Sequence, residues 1–230
     1  KQARQRSDRL STTVYNYQEN IMTNQTNNIN NTNNINNTNH INQTNHTNQT
    51  NHTNHINKTA IITGASRGIG AAIAKKLASC GYNLSLCCRN SSDKLKALAD
   101  ELHCAYGIEV LCYTGNVGDF FFAKDMVAKT ISHFGHIDVL INNAGISHIG
   151  LLSDMTPEEW NNIVAINLTG VFNFTKLVIP YMVADKCGRI LQISSVWGNV
   201  GASCEVAYSA CKGGINAFTK ALGKELAPSH

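Results

Sequence analysis

The sequence predicts an α/β fold: a Rossmann-like, doubly wound parallel sheet in three αβα layers, built from residues 58–230. Five short, almost wholly apolar runs alternate with amphipathic stretches, the pattern of parallel strands covered on both faces by their crossover helices. A glycine-rich turn, TGASRGIG at 63–70, separates the first strand from the first helix. NNAG (142–145), the end of QISS (192–195) and the start of the last helix all fall just past a strand's carboxyl end. That is where open parallel sheets bind ligands.

Each element has a local reason. KTAIIT (58–63) is a β-rich run, and AAIAKKLASCGY after the glycine turn has helical periodicity, with Gly81 placed to end it. NLSLCCR (83–89) reads as a second buried strand, 91–106 as a helix, and EVLCYTG (109–115) as the third strand. A helix over 119–134 leads to the fourth strand, IDVLINNAG (137–145). One long helix is then predicted from Thr156, its N-cap, with Pro157 in the first position, through 183. GRILQISS (188–195) is the fifth strand, and 207–227 form the last helix with apolar residues at 215, 218, 222 and 226.

Residues 1–57 differ in kind. From Asn24 to Asn57 every third residue is Asn, and only isolated isoleucines interrupt the polar triplets. Such a tract cannot bury enough apolar surface to offset the entropy of ordering, so a disordered low-complexity tail is expected. Its period and the opening on Lys1 rather than Met suggest a gene-model artefact. The net charge of +4 comes from scattered Lys and Arg, which gives nucleic-acid binding no support. No stretch is expected to approach the roughly 20 apolar residues that span a membrane, and no signal peptide is recognised. None of the eight cysteines forms a C-x-x-C pair, so reduced thiols in a cytoplasmic protein are expected, with no metal.

Three groups of residues offer chemistry. Gly64, Gly68 and Gly70 follow a strand and open a helix, whose free N–H groups face a pyrophosphate. The second strand ends on Arg89, where an NAD site has an acid, and Arg67 lies in the glycine turn. Two guanidiniums match a ribose 2′-phosphate, which points to NADP(H). Tyr208 and Lys212 share a helix face, and an ammonium there stabilises a phenolate, as proton transfer at neutral pH requires. Ser195 closes the fifth strand, placed to hydrogen-bond a substrate oxygen. Taken singly, each has a plainer reading: a tight turn, two solvated arginines, a surface helical pair.

Together, TGASRGIG, NNAG, Asn167 in AINLTG, Ser195, Tyr208 and Lys212 resemble the short-chain dehydrogenase/reductases in order and spacing, over essentially all of residues 58–227. The resemblance implies that Tyr208 is the general acid for carbonyl reduction and that Ser195 positions the carbonyl. It implies that Lys212 binds the nicotinamide ribose and that Asn167 holds a water in a proton relay. Ser66, Ile69, Asn116, Val117, Asn143, Ala144 and Gly145 join the glycines and arginines in holding the cofactor, and Asn142 supports the sheet. Asn116 stands where the family has an acid on adenine. The family continues past KELAPSH with further strands, so the fold is expected to lack its last strands. It also implies a homotetramer packed through helices near 156–184 and 207–227.

GASRGIG, NNAGIS and YSACKGG look most like bacterial 3-oxoacyl-acyl-carrier-protein reductases, implying a carrier-bound β-keto thioester as substrate. GASCEV is similar to reductases of the 5-aminopentanone modification on elongation factor P. Glu205, three residues before Tyr208, is then placed to pair with an amine, or is a solvated rim acid; Trp197 and Cys204 either shape the same wall or serve only as packing. From another class, a non-catalytic dinucleotide-binding fragment stays open.

Overall fold

The computed structural model describes residues 57–229. The tail expected to be disordered, apart from Asn57, lies outside the described residues. Five strands form one sheet: β1 (Thr59–Thr63), β2 (Asn83–Cys88), β3 (Val110–Thr114), β4 (Val139–Asn142) and β5 (Arg189–Gln192). The main helices are α1 (Gly68–Ser79), α2 (Ser92–Tyr106), α3 (Phe120–Phe134), α4 (Pro157–Ala184) and α5 (Val206–Leu226). All strand pairs are parallel, in the order β3-β2-β1-β4-β5. The order reverses at β1 and β4, where a ligand crevice opens.

The apolar strands follow from burial on both faces. In β1, Ile62 packs with Leu84, Leu86, Leu95 and Leu102 beneath α1 and α2, whereas its neighbour Ile61 packs with Leu140, Met126, Phe174 and Val178 beneath α3 and α4. Successive side chains point to opposite faces, so a strand with helices on both sides needs apolar residues at every position. A polar pair buried between β2 and α3 is satisfied. Ser85 meets Thr130 Oγ1 at 2.6 Å, and Thr130 donates to the Met126 carbonyl at 2.7 Å.

Two strands end earlier than the sequence suggests. β4 stops at Asn142 and β5 at Gln192, so 143–145 and 193–195 turn out of the sheet and become free to build a site. The Thr156 cap is confirmed and completed by Glu159: Thr156 Oγ1 accepts from the Glu159 N–H at 3.2 Å, and Glu159 Oε2 accepts from the Thr156 N–H at 2.9 Å.

The predicted long helix is a correction in two respects. α4 is interrupted by a π-helical turn, Ala165–Thr169, that widens it where Asn167 turns inward. It is also long and apolar enough, at a mean hydropathy of 1.5, to meet the length and composition test for a membrane span, contrary to expectation. Half of its most apolar stretch is buried inside the protein, against α3 and the sheet, as in a core helix.

A candidate active site at the sheet switch point

The ends of β1 and β4 are buckled together. Thr63 Oγ1 accepts from the backbone N–H groups of Asn143 and Ala144, both at 3.0 Å, and Asn143 Nδ2 donates to the carbonyls of Thr63 (3.0 Å) and Gly64 (3.1 Å). This fixes the glycine turn against NNAG, and the glycines there have different reasons. Gly64 has φ +66°, and a Cβ on it would lie 2.8 Å from Ala144 Cα. Gly70 has ordinary backbone, but its Cβ would lie 2.6 Å from Asn143 Nδ2 and run into the Gly64 carbonyl. Behind the turn α1 begins, with no acidic residue in its first turn and no side-chain cap on Arg67. Its first N–H groups are left for an anion.

A cleft of about 880 Å³ opens in front of this turn. Gly64, Ser66, Arg67, Gly68, Ile69, Arg89, Asn116, Val117, Asn143, Ala144 and Gly145 all line it, and among the described residues no carboxylate does. Gly70 lies behind the turn rather than on the cleft wall. Arg67 and Arg89 are exposed, and Arg89 Nη1 donates to Asn162 Oδ1 on α4 at 3.5 Å. Asn116 Oδ1, the acceptor expected for adenine, takes the Gly118 N–H at 3.0 Å. The cleft also uses Cys88, Asn90, Ser91, Gly115, Ile146 and Ile166, which sequence reasoning missed. The RNSS run following β2 was the available signal for two of them. The cradle, the free helix terminus and the two cations fit a dinucleotide carrying an extra phosphate.

The second half of the site stands beside Gly145. Lys212 is only 4% exposed, one turn after Tyr208 in α5, and its Nζ donates to the Ile193 carbonyl at 2.6 Å. Burial pushes the Lys212 ammonium below the ordinary lysine value. Its Nζ lies 5.6 Å from the centre of the Tyr208 ring. Ser195 Oγ accepts from the Trp197 N–H at 3.2 Å, so its own proton remains to be given away. Gly198, in a single helical turn over Trp197–Val200, packs directly on the Lys212 backbone: a Cβ there would lie 2.7 Å from the Lys212 carbonyl oxygen. The Ser195 loop and α5 are thereby held at backbone distance.

Asn167, fully buried, grips Ile146 from both sides, with Oδ1 accepting from its N–H at 2.8 Å and Nδ2 donating to its carbonyl at 2.7 Å. A Cβ on Gly145 would lie 3.0 Å from Asn167 Oδ1 and 3.8 Å from Lys212 Nζ, which brings these three residues together. Glu205 flanks α5, half-buried, and accepts a hydrogen bond from Ser147 Oγ. Val196, Trp197 and Val200 on the segment after Ser195, Val206 two residues before Tyr208, and Ile149, Leu151 and Leu152 on the segment after β4 are exposed apolar residues.

A parallel sheet with its cradle at the switch point and a Ser–Tyr–Lys–Asn set beside it defines a class, and comparison with known proteins agrees. The short chain dehydrogenase family model matches residues 58–230, and the chain belongs to that family. It is similar to 3-oxoacyl-[acyl-carrier-protein] reductase FabG of Staphylococcus aureus, 40% identical over 168 residues, covering 73% of this chain and 68% of that one. It is 42% identical to 3-oxoacyl-[acyl-carrier-protein] reductase of Synechocystis sp. over 168 residues, with the same coverage. Among solved structures it resembles a metagenomic short-chain oxidoreductase in complex with NADP, with a TM-score of 0.72 and 35% identity, covering 75% of this chain and 77% of that chain.

Proposed function

We propose that this protein is an NADPH-dependent reductase that converts a carbonyl to an alcohol, with a β-keto thioester on acyl carrier protein as its substrate. The observation that carries the reaction type is Lys212, beside the Tyr208 ring and near Gly145 and Asn167 at the cleft wall, with its Nζ anchored on the Ile193 carbonyl two residues before Ser195. NADPH bound in the cleft supplies the hydride to the carbonyl carbon. Ser195, whose oxygen is already occupied as an acceptor by Trp197, donates its proton to the carbonyl oxygen and orients it. Tyr208 Oη transfers its proton to that oxygen as it becomes an alkoxide, giving the alcohol. Lys212, anchored on the Ile193 carbonyl, balances the phenolate left behind. Asn167 keeps Gly145 and Ile146 at the cleft wall, and the second lone pair on its Oδ1 is available to a water passing the proton back from solvent.

Arg67 and Arg89 are assigned to the 2′-phosphate. In a fluorescence titration NADPH should bind at least about tenfold tighter than NADH, and alanine at either arginine should weaken NADPH about tenfold while leaving NADH unchanged. Equal affinity for both nucleotides would remove the assignment.

The exposed apolar residues on the segments next to Ser195 and Tyr208 support an acyl substrate over a small polar one. A second reading, reduction of the 5-aminopentanone modification on elongation factor P, is supported by the half-buried Glu205 carboxylate, an attractive partner for an amine. A substrate panel separates them. β-Keto thioesters should have the higher kcat/KM, rising with acyl length, and a preference for amino ketones over matched neutral ketones would favour the second reading. Oxidation of NADPH by neither class would overturn both. The eight cysteines are unpaired, and burial pushes the Cys87 thiol up to about 12 and Cys112 to about 11, outside nucleophilic use. Exposed Trp160, Phe172 and Tyr181 on α4 support assembly of copies through that helix.

A further inference from the structure

The segment that follows Gly145 is tied down at three points, and two of the ties reach the residues immediately ahead of α5. Asn167 grips Ile146; the Ser147 hydroxyl donates to Glu205 Oε1; the Gly150 N–H donates to the Cys204 carbonyl at 2.9 Å. Cys204 has φ +61°, and it shares a positive φ only with Lys186 among the described non-glycine residues. A residue with a Cβ adopts that backbone when its surroundings impose it. Here the turn carries the Cys204 carbonyl to Gly150 as the next residue's carboxylate meets Ser147. From Glu205 the hold passes into the helix: the Glu205 carbonyl accepts the Ser209 N–H at 2.8 Å, and Ser209 Oγ accepts the Ala202 N–H at 3.1 Å. Tyr208 lies inside that closed loop of contacts.

We propose that Ser147 and Glu205 form a clasp that fixes the Tyr208 end of α5 to the Gly145 wall of the cofactor cleft, making both of them positioning residues for proton transfer. A hydroxyl donating to a carboxylate is among the stronger hydrogen bonds, here between an exposed Ser147 and a half-buried Glu205. Proton transfer is sensitive to donor placement, since a misplacement of about 1 Å can change a rate by about 100-fold. The clasp spans 58 residues of sequence and joins the loop after β4 to the residue that opens the last helix. Its kinetic consequence rests on the carbonyl-reductase reading above; its existence does not.

The test uses the full chain and four variants, Ser147→Ala, Glu205→Ala, Glu205→Gln and the Ser147→Ala/Glu205→Ala pair, with two readouts. In hydrogen exchange, Ser147→Ala and Glu205→Ala should each speed the amides of 146–150 and 204–209 by about tenfold. Glu205→Gln, which keeps an acceptor, should stay within about threefold of the parent. In turnover, the two alanine variants should lose about tenfold in kcat with KM for NADPH and ketone little changed, Glu205→Gln should recover most of it, and the pair should be no worse than either single variant. Unchanged exchange in Ser147→Ala would overturn the clasp, as would faster exchange with an unchanged kcat. A rise in ketone KM confined to the Glu205 variants would also overturn it and assign the carboxylate to the substrate instead. If the chain turns over no carbonyl at all, the reductase reading fails and the exchange of 204–209 alone decides the clasp.

Discussion

Tyr208→Phe is expected to lower kcat by a factor of about 10² to 10⁴, the contribution of a positioned proton donor, with NADPH affinity within about threefold of the parent. The substitution removes one oxygen and leaves the half-buried ring, so the Lys212 ammonium keeps its aromatic neighbour at 5.6 Å and its anchor on the Ile193 carbonyl. The cofactor cleft is lined by other residues, and binding should survive. Stopped-flow turnover set against a fluorescence titration of the same preparation separates the two effects. Turnover near the parent rate would move the proton donor elsewhere, and loss of cofactor affinity would mean the ring is part of the cleft wall. A protein that only binds the dinucleotide would pass through this substitution with its function intact.

Gly64→Ala should be the most damaging single change in the cofactor half, and Gly68→Ala is its control. Both glycines have positive φ, +66° and +57°, so a Cβ at either costs about 1–2 kcal/mol of backbone strain. At Gly68 the new methyl has open space around it. At Gly64 it would meet Ala144 Cα at 2.8 Å and Ala144 N at 3.1 Å, main-chain atoms that move only by pulling NNAG away from the turn. Overpacking of that kind adds about 1–3 kcal/mol. Chemical unfolding should therefore show Gly64→Ala as the less stable variant by about that margin, with NADPH affinity reduced well beyond that of Gly68→Ala. Equal effects at the two positions would mean that backbone conformation, rather than contact with NNAG, fixes the glycine at 64.

Much of this site is legible in the sequence. The cleft wall was read from a glycine turn following a strand and opening a helix, and from an arginine where an acid would otherwise stand. Gly70 packs against Asn143 and the Gly64 carbonyl behind the turn, a placement that spacing cannot tell from the cleft wall because both kinds of glycine look alike in a string. Asn116 was read as an acceptor for adenine, and the structure gives its Oδ1 the Gly118 N–H two residues along, a local option open to any Asn in a turn. Cys88, Gly115, Ile146 and Ile166 were missed because apolar or small residues on a cleft wall carry the same signature as core.

The sequence by itself determined the layers, the number and direction of the strands, and which carboxyl ends carry chemistry. Those follow from hydrophobic period and turn residues, which act over a few positions at a time. Only the tertiary structure decided that α4 opens into a π-turn at Asn167, that Ser195 is already an acceptor, and that Glu205 is held by Ser147. Residues 21, 58 and 80 positions apart, such as Ile146 with Asn167, Ser147 with Glu205, and Thr63 with Asn143, meet only after sheet register and helix packing have been summed over the whole domain. No local pattern encodes that sum.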